Sequence, residues 1–233
     1  VKFSPKSSFD YESPELAAPS VLRNPSVAEL YELALAEHDM LTSSGALASA
    51  SGACTGRCPK DKRVVDEPGS TGDIWWGSVN IKLSGDSFSL LREQATEFLA
   101  ERPRVFVIDG YAGWDPRRRL KVRVVCARAY HALFMHNMLI RPTARQLASF
   151  GKPDFVIYNA GQCAADSQIP GVGSRTSVAL SFQRGEMVIL GTEYAGEMKK
   201  GIFTVMHYLM PRQDVLSMHC SANEGPQGDV SLF

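Results

Sequence analysis

Apolar positions along the chain fall into two periods. In NPSVAELYELALAEH, residues 24–38, Val27, Leu30, Tyr31, Ala34 and Leu35 share one helical face, with Asn24 placed to cap and Pro25 suited to the first turn. Between 87 and 102 the same spacing returns in Phe88, Leu91, Ala95, Phe98 and Leu99, which predicts a second packing helix. RVFVID (104–109) and LKVRVV (120–125) are β-branched runs joined by the turn-rich GYAGWDPRRR, and a long hairpin is the simplest reading. An apolar helix is expected over 129–139 and a short one behind Thr143. DFVIYNAG (154–161) reads as a strand, and SVALSF, QRGE and MVILG form a second hairpin over 177–191.

Helices and strands are intermixed without repeats and without a regular strand–helix–strand rhythm. That predicts a mixed α/β or α+β domain rather than an orthodox dinucleotide-binding unit. Residues 1–20 are rich in Ser and Pro and read as a flexible arm.

After the last hairpin, GTEYAGEMKKGIFTVMHYLMP gives a loop and then a helix whose apolar face would be Met198, Ile202, Val205, Met206 and Leu209, stopped by Pro211. This pattern places Lys199 and Lys200 in the first turn or just before it. A helix N-terminus disfavours cations, so the pair is locally costly unless an anion sits there, where free backbone N–H groups would help to hold it. Two adjacent ammonium groups also repel, which favours the neutral form of one as a base or metal ligand. The plain alternative is a solvated lysine pair.

VLSMHCSAN (215–223) alternates as a strand would, putting Ser217, His219 and Ser221 on a polar face. His219 is there either a metal ligand or acid/base group, or a structural histidine. In SGACTGRCPKDK (51–62), Gly52, Gly56 and Pro59 enforce a loop around Arg57, a bidentate partner for carboxylate or phosphate; the alternative is an exposed basic loop.

Charge narrows the partners. With 25 basic and 25 acidic residues among 233, no global field draws nucleic acid or an anionic membrane, so an anion site must be local. Arg117–Arg119 are too short a basic run to suggest RNA binding. Five cysteines (54, 58, 126, 163 and 220) without a CxxC pair argue against a disulfide framework and a zinc ribbon, and favour a reducing compartment. No apolar run approaches the roughly 20 residues of a membrane span.

Taken in order, CTGRCPKDKRVV, IWWGSVN, RVFVIDGYAGWDP, VRVVCARAYHALFMHNMLIRPT, KPDFVIYNAG, VILGTEYAGEMKKGIFTVMHYLMP and MHCSANEG resemble the ATP-dependent phosphoenolpyruvate carboxykinases, with wording nearest to fungal members. The likeness runs from about residue 40 to 233. It implies a fold in which 21–213 form the N-terminal substrate-binding domain and 214–233 begin the mononucleotide-binding domain. It also implies an activity: oxaloacetate and ATP give phosphoenolpyruvate, ADP and carbon dioxide, the entry to gluconeogenesis, in the cytoplasm.

The resemblance assigns roles residue by residue. Arg57 would bind the substrate carboxylate, and Tyr194 and Gly196 would border the oxaloacetate and carbon dioxide pocket. Lys199 would contact the transferring phosphoryl group. Lys200, beside the substrate, would ligate the transition metal as a neutral amine. His219 would be a second ligand, close to the phosphoryl group. The metal implied is manganese, with magnesium accompanying ATP.

Two departures from the family pattern stand out. Cys58 occupies a position where a small residue such as Ser is common, which suggests sensitivity to thiol reagents. No GxxxxGK[ST] phosphate loop occurs in these 233 residues, so this stretch alone is expected to show negligible ATP-dependent turnover. A non-catalytic binding module with the same fold is the alternative reading.

Overall fold

The structure is a computed structural model that describes residues 20–233. The expected arm therefore lies outside the described residues, apart from Ser20. In chain order the elements are β1 (Val21–Arg23), α1 (Val27–Ala36), β2 (Met40–Leu41), β3 (Leu47–Ala48), β4 (Lys62–Val65), β5 (Ile81–Leu83) and α2 (Gly85–Ala100). There follow β6 (Val105–Ala112), β7 (Leu120–Cys126), α3 (Ala129–Met138), α4 (Ala144–Ala148), β8 (Phe155–Ala160), β9 (Ser177–Ser181), β10 (Glu186–Leu190) and α5 (Gly196–Leu209). Two short strands, β11 (Ala222–Glu224) and β12 (Val230–Leu232), pair with each other outside the main sheet.

Eight strands form one mixed sheet in the order β1-β6-β7-β8-β10-β9-β4-β5. The two hairpins expected from sequence, β6 with β7 and β9 with β10, are antiparallel, while β1–β6, β7–β8, β8–β10, β9–β4 and β4–β5 are parallel. Strands β8, β9 and β10 are buried along their whole length, which is why they read as continuous apolar runs rather than alternating ones.

Alternate strand residues feed two cores. Phe106, Ile108, Val122 and Val124 pack with Leu30 and Ala34 of α1, Ala132 and Met135 of α3, and Met198, Ile202 and Val205 of α5. Val105, Val107, Val125 and Val188 pack on the other side with Phe88, Leu91, Ala95 and Leu99 of α2. Each fully buried Leu or Phe contributes on the order of 1.5–3 kcal/mol relative to exposure, so the helical spacing of α2 converts directly into attachment to the sheet. This is the mixed α/β class that the pattern predicts.

Three local expectations need correction. The cap of α1 is Ser26, not Asn24: its hydroxyl accepts from the Glu29 amide, and the Glu29 carboxylate accepts from the Ser26 amide. Asn24 instead takes a left-handed conformation (φ 45°), and its Oδ1 accepts from the Asp109 amide at 2.8 Å, which fastens β1 to β6. Leu35, placed on the apolar face, is exposed, whereas Leu33 packs against the core. The run 215–223 is not a strand: residues 215–221 are irregular and only Ala222 and Asn223 join β11.

No helix among the described residues is long and apolar enough to cross a membrane. The arginines of the 117–119 turn are used within the fold. Arg117 and Arg118 pair with Asp115, Arg118 also donates to the Gln213 carbonyl, and Arg119 lies over the Tyr111 ring.

Candidate active site

Strand register brings the candidate segments to one end of the sheet. Lys62 of β4 pairs with Val178 of β9, and Val178 pairs with Ile189 of β10. The end of β4 that receives the Arg57 loop is therefore the end of β10 that releases the strap 191–195 into α5.

The strap is pinned from several directions. Gly191 has φ +70° and a Cβ there would collide with the Arg175 carbonyl, so only glycine lets the chain turn at this point. The Thr176 hydroxyl donates to Gly191 O at 3.0 Å, and His131 Nε2 lies 2.8 Å from the Glu193 carbonyl. His131 is fully buried in α3, and burial pushes its pKa down to about 4, so it is a neutral donor to that carbonyl. Tyr194 closes over Gly196, where a Cβ would sit 2.5 Å from its ring.

Helix α5 begins at Gly196, earlier than the apolar pattern indicates. Lys199 and Lys200 thus fall at its fourth and fifth residues. The first-turn charge is Glu197, the sign favoured at a helix N-terminus, and dipole effects fade beyond the first turn, so the expected local cost of the lysine pair is smaller than the sequence suggests. The amides of Glu197 and Met198 already donate to the carbonyls of Tyr194 and Ala195.

Glu197 instead organises the Arg57 loop. Its Oε1 accepts from the Cys58 amide at 2.6 Å, and burial raises its pKa against the opposing effects of that bond, Arg57 and Lys62. Arg57 is exposed and makes no hydrogen bond or ion pair with any described residue. Lys62 donates to the Thr204 hydroxyl at 3.0 Å, which donates in turn to the Lys200 carbonyl at 3.0 Å. Burial, then the nearby Arg57 charge, lowers the Lys62 pKa.

Lys199 is exposed, and Lys200 is half-buried with its Nζ 5.6 Å from the centre of the Phe203 ring. His219 meets the same ring edge-on at 4.7 Å between centroids. Although 215–221 is not a strand, the irregular chain still delivers His219 to the Lys200 side of α5. Among the described residues, no cluster of three or more His, Cys, Asp or Glu side chains is arranged to hold a metal, so Lys200 and His219 form at most part of a ligand set.

Cys58 behaves differently from the sequence expectation. Burial, together with the neighbouring Cys54 thiol and Glu197, pushes its pKa up to about 12, which disfavours the reactive thiolate. All five cysteines are free thiols.

The sequence-family model described as phosphoenolpyruvate carboxykinase matches residues 19–233, nearly the whole chain. The chain belongs to the phosphoenolpyruvate carboxykinase family. The chain is 60% identical over 217 residues to phosphoenolpyruvate carboxykinase (ATP) 2 of Salinibacter ruber, and 58% identical over 216 residues to phosphoenolpyruvate carboxykinase (ATP) of Eremothecium gossypii. To the enzyme of that name from Saccharomyces cerevisiae it is 55% identical over 217 residues. Each match covers 92% of this chain but only 40–41% of the relative, so the chain spans about two fifths of the length of these carboxykinases.

The structure brings Arg57, Tyr194, Gly196, Lys199, Lys200 and His219 to the loops and helix at one end of the sheet. It adds Glu197, Lys62, Thr204 and Phe203, which sequence reasoning did not single out. Lys62 and Glu197 lie inside the quoted motifs. A four-residue buried strand leaves too few positions to show a period, and a buried carboxylate is visible only once its loop partner is known.

Proposed function

We propose that this chain supplies the oxaloacetate-binding surface and part of the metal site of an ATP-dependent phosphoenolpyruvate carboxykinase. The observation that carries this reading is the convergence of the Arg57 loop on α5 through the Cys58–Glu197 hydrogen bond, beside the Lys62–Thr204–Lys200 chain of bonds. The loop's exposed guanidinium has no hydrogen-bond or ion-pair partner among the described residues, which leaves its donors available to a carboxylate. Membership of the family and the names of the relatives support the reaction class.

In this proposal Arg57 grips a carboxylate of oxaloacetate, and Tyr194, seated on Gly196, borders the carbon dioxide that leaves. Loss of carbon dioxide deposits an electron pair that becomes an enolate, whose oxygen then accepts the γ-phosphoryl group of ATP. Lys199 neutralises charge on the transferring phosphoryl group, for which positioning and electrostatics do most of the catalytic work. Lys200 and His219 are nitrogen donors that fit part of a divalent cation site, with manganese the proposed ion and magnesium accompanying ATP. Such an ion supplies positive charge for the developing enolate and phosphoryl oxygens.

The same reading takes 21–213 as the substrate-binding domain and 214–233 as the start of the nucleotide-binding domain, because the β11–β12 hairpin stands outside the eight-stranded sheet. The cytoplasm is the compartment we propose, and gluconeogenesis the process.

Calorimetric titration with manganese, with and without oxalate as an enolate mimic, tests the assignment. Saturable binding that is strengthened by oxalate and lost in both Lys200→Ala and His219→Ala is the expected result. Binding that survives both substitutions would remove these residues from the metal site.

A further inference from the structure

Two thiols flank Arg57 in the run Cys54-Thr55-Gly56-Arg57-Cys58, and neither has a part in the reading above. The run bends at Gly56, with Thr55 and Arg57 exposed and Cys54, Gly56 and Cys58 half-buried. A Cβ built on Gly56 would meet nothing within 4 Å, so the bend has open space in which to shift.

Both sulfurs are turned to the start of the strap. Cys54 Sγ lies 4.0 Å from the Thr176 hydroxyl, which itself donates to Gly191 O at 3.0 Å. The Cys58 sulfur accepts from the hydroxyl of Thr192, the next strap residue, and lies 3.8 Å from Gly56 O, back towards the bend. The two thiols also feel each other: after burial, Cys54 is the strongest influence that holds the proton on Cys58. No second thiol acts in this way on Cys126 or Cys163. One pair of thiols is thus gathered under the loop that carries Arg57.

We propose that Cys54 and Cys58 are a thiol–disulfide pair, closed to an intramolecular disulfide by a small-molecule disulfide, and that closure re-aims Arg57 away from the carboxylate it grips. The second half of this inference rests on the proposed role of Arg57; the first half does not. Because Cys58 keeps its proton, Cys54 is the entry thiol. Its thiolate attacks one sulfur of the small disulfide, and the other sulfur leaves as a thiolate that takes up a proton. Cys58 then attacks the Cys54 sulfur of the mixed disulfide, gives up its proton and displaces the second small thiol. Two protein thiols are oxidised to one disulfide, and one small disulfide is reduced to two thiols. A disulfide joins its sulfurs at about 2.05 Å and its Cα atoms at about 4.4–6.8 Å, so closure draws in the bend on both sides of Gly56, and Arg57 lies inside the ring that forms.

Treatment of the purified protein with oxidised glutathione, blocking of the remaining thiols and digestion with trypsin read the bond. Trypsin cuts after Arg23, Arg57 and Lys60, so the disulfide appears as residues 24–57 joined to residues 58–60. This joined peptide is the expected product, released by dithiothreitol and formed by neither Cys54→Ser nor Cys58→Ser. Titration with oxalate in the presence of manganese is expected to show affinity about tenfold lower after oxidation, restored by dithiothreitol, and no such change in Cys58→Ser. A glutathione adduct that persists on Cys54, joining of either thiol to Cys220, or free Cys54 and Cys58 where Cys220 has taken up glutathione would each overturn the pair. Equal oxalate affinity in oxidised and reduced protein would overturn the control of Arg57. Reduced protein that binds no oxalate would remove the reading of Arg57 and with it that control, whereas the joined peptide judges the thiol pair by itself.

Discussion

The amide of Cys58 donates a 2.6 Å hydrogen bond to Glu197 Oε1, so the loop that carries Arg57 is fastened to the first turn of the helix that carries Lys199 and Lys200. Residues 139 positions apart are thereby held in one geometry, and the placement of the Arg57 loop depends on this buried carboxylate. Glu197→Ala is expected to leave the Cys58 amide without its partner and to lower unfolding stability by about 1–3 kcal/mol in a urea titration. Glu197→Gln keeps a carbonyl acceptor and should recover most of that loss. Equal destabilisation by both variants would contradict this account.

Lys62 is predicted to titrate below the ordinary lysine range, because burial and the Arg57 charge both disfavour its ammonium form. The unfolded chain then binds more protons than the folded one between the two pKa values. Stability contributed through Lys62 therefore rises with pH across that window, and the cost of the buried charge is fully present below it. Nuclear magnetic resonance of isotopically labelled lysine side chains reads the value directly. In Arg57→Gln the Lys62 pKa should move up towards the ordinary range, and no movement would show that the guanidinium is not felt.

His131 gives an acid-side signature. Its folded pKa of about 4 lies below the unfolded value, so the unfolded chain binds more protons as pH falls from about 6.5 to 4, and stability falls with it. The loss amounts to about 3 kcal/mol over that interval. Imidazole resonances should show His131 neutral at pH 5, and a ring that is charged at that pH would refute the buried, neutral donor.

Alkylation should discriminate among the thiols. Cys220 is exposed, whereas the Cys58 thiol is pushed up to about 12. Iodoacetamide at neutral pH is expected to modify Cys220 at least about tenfold faster than Cys58, as read by peptide mass spectrometry. Faster labelling of Cys58 would mean that the Arg57 loop opens readily.

Gly196→Ala places a methyl group 2.5 Å from the Tyr194 ring. The ring must then leave its seat while the helix keeps a better helix former. We expect thermal stability changed only slightly, oxalate binding weakened by about tenfold, and altered Tyr194 fluorescence or ring resonances. Retained oxalate affinity would separate Tyr194 from the substrate pocket.

The sequence by itself determined the elements whose burial follows a simple period. Phe88, Leu91, Ala95 and Leu99 of α2 and the continuous apolar runs of β8, β9 and β10 were legible because each residue's environment depends on its neighbours at fixed spacing. The motifs around Arg57, Lys199, Lys200 and His219 were legible as family wording, without any indication of how they meet. Only the tertiary structure decided that Ser26 and not Asn24 caps α1, since Asn24 is needed by Asp109 across the sheet. It alone made Glu197 the acceptor for the Arg57 loop and joined Lys62 to Lys200 through Thr204. Those facts rest on contacts between distant parts of the chain, and neither spacing nor composition encodes which buried polar group will find a partner.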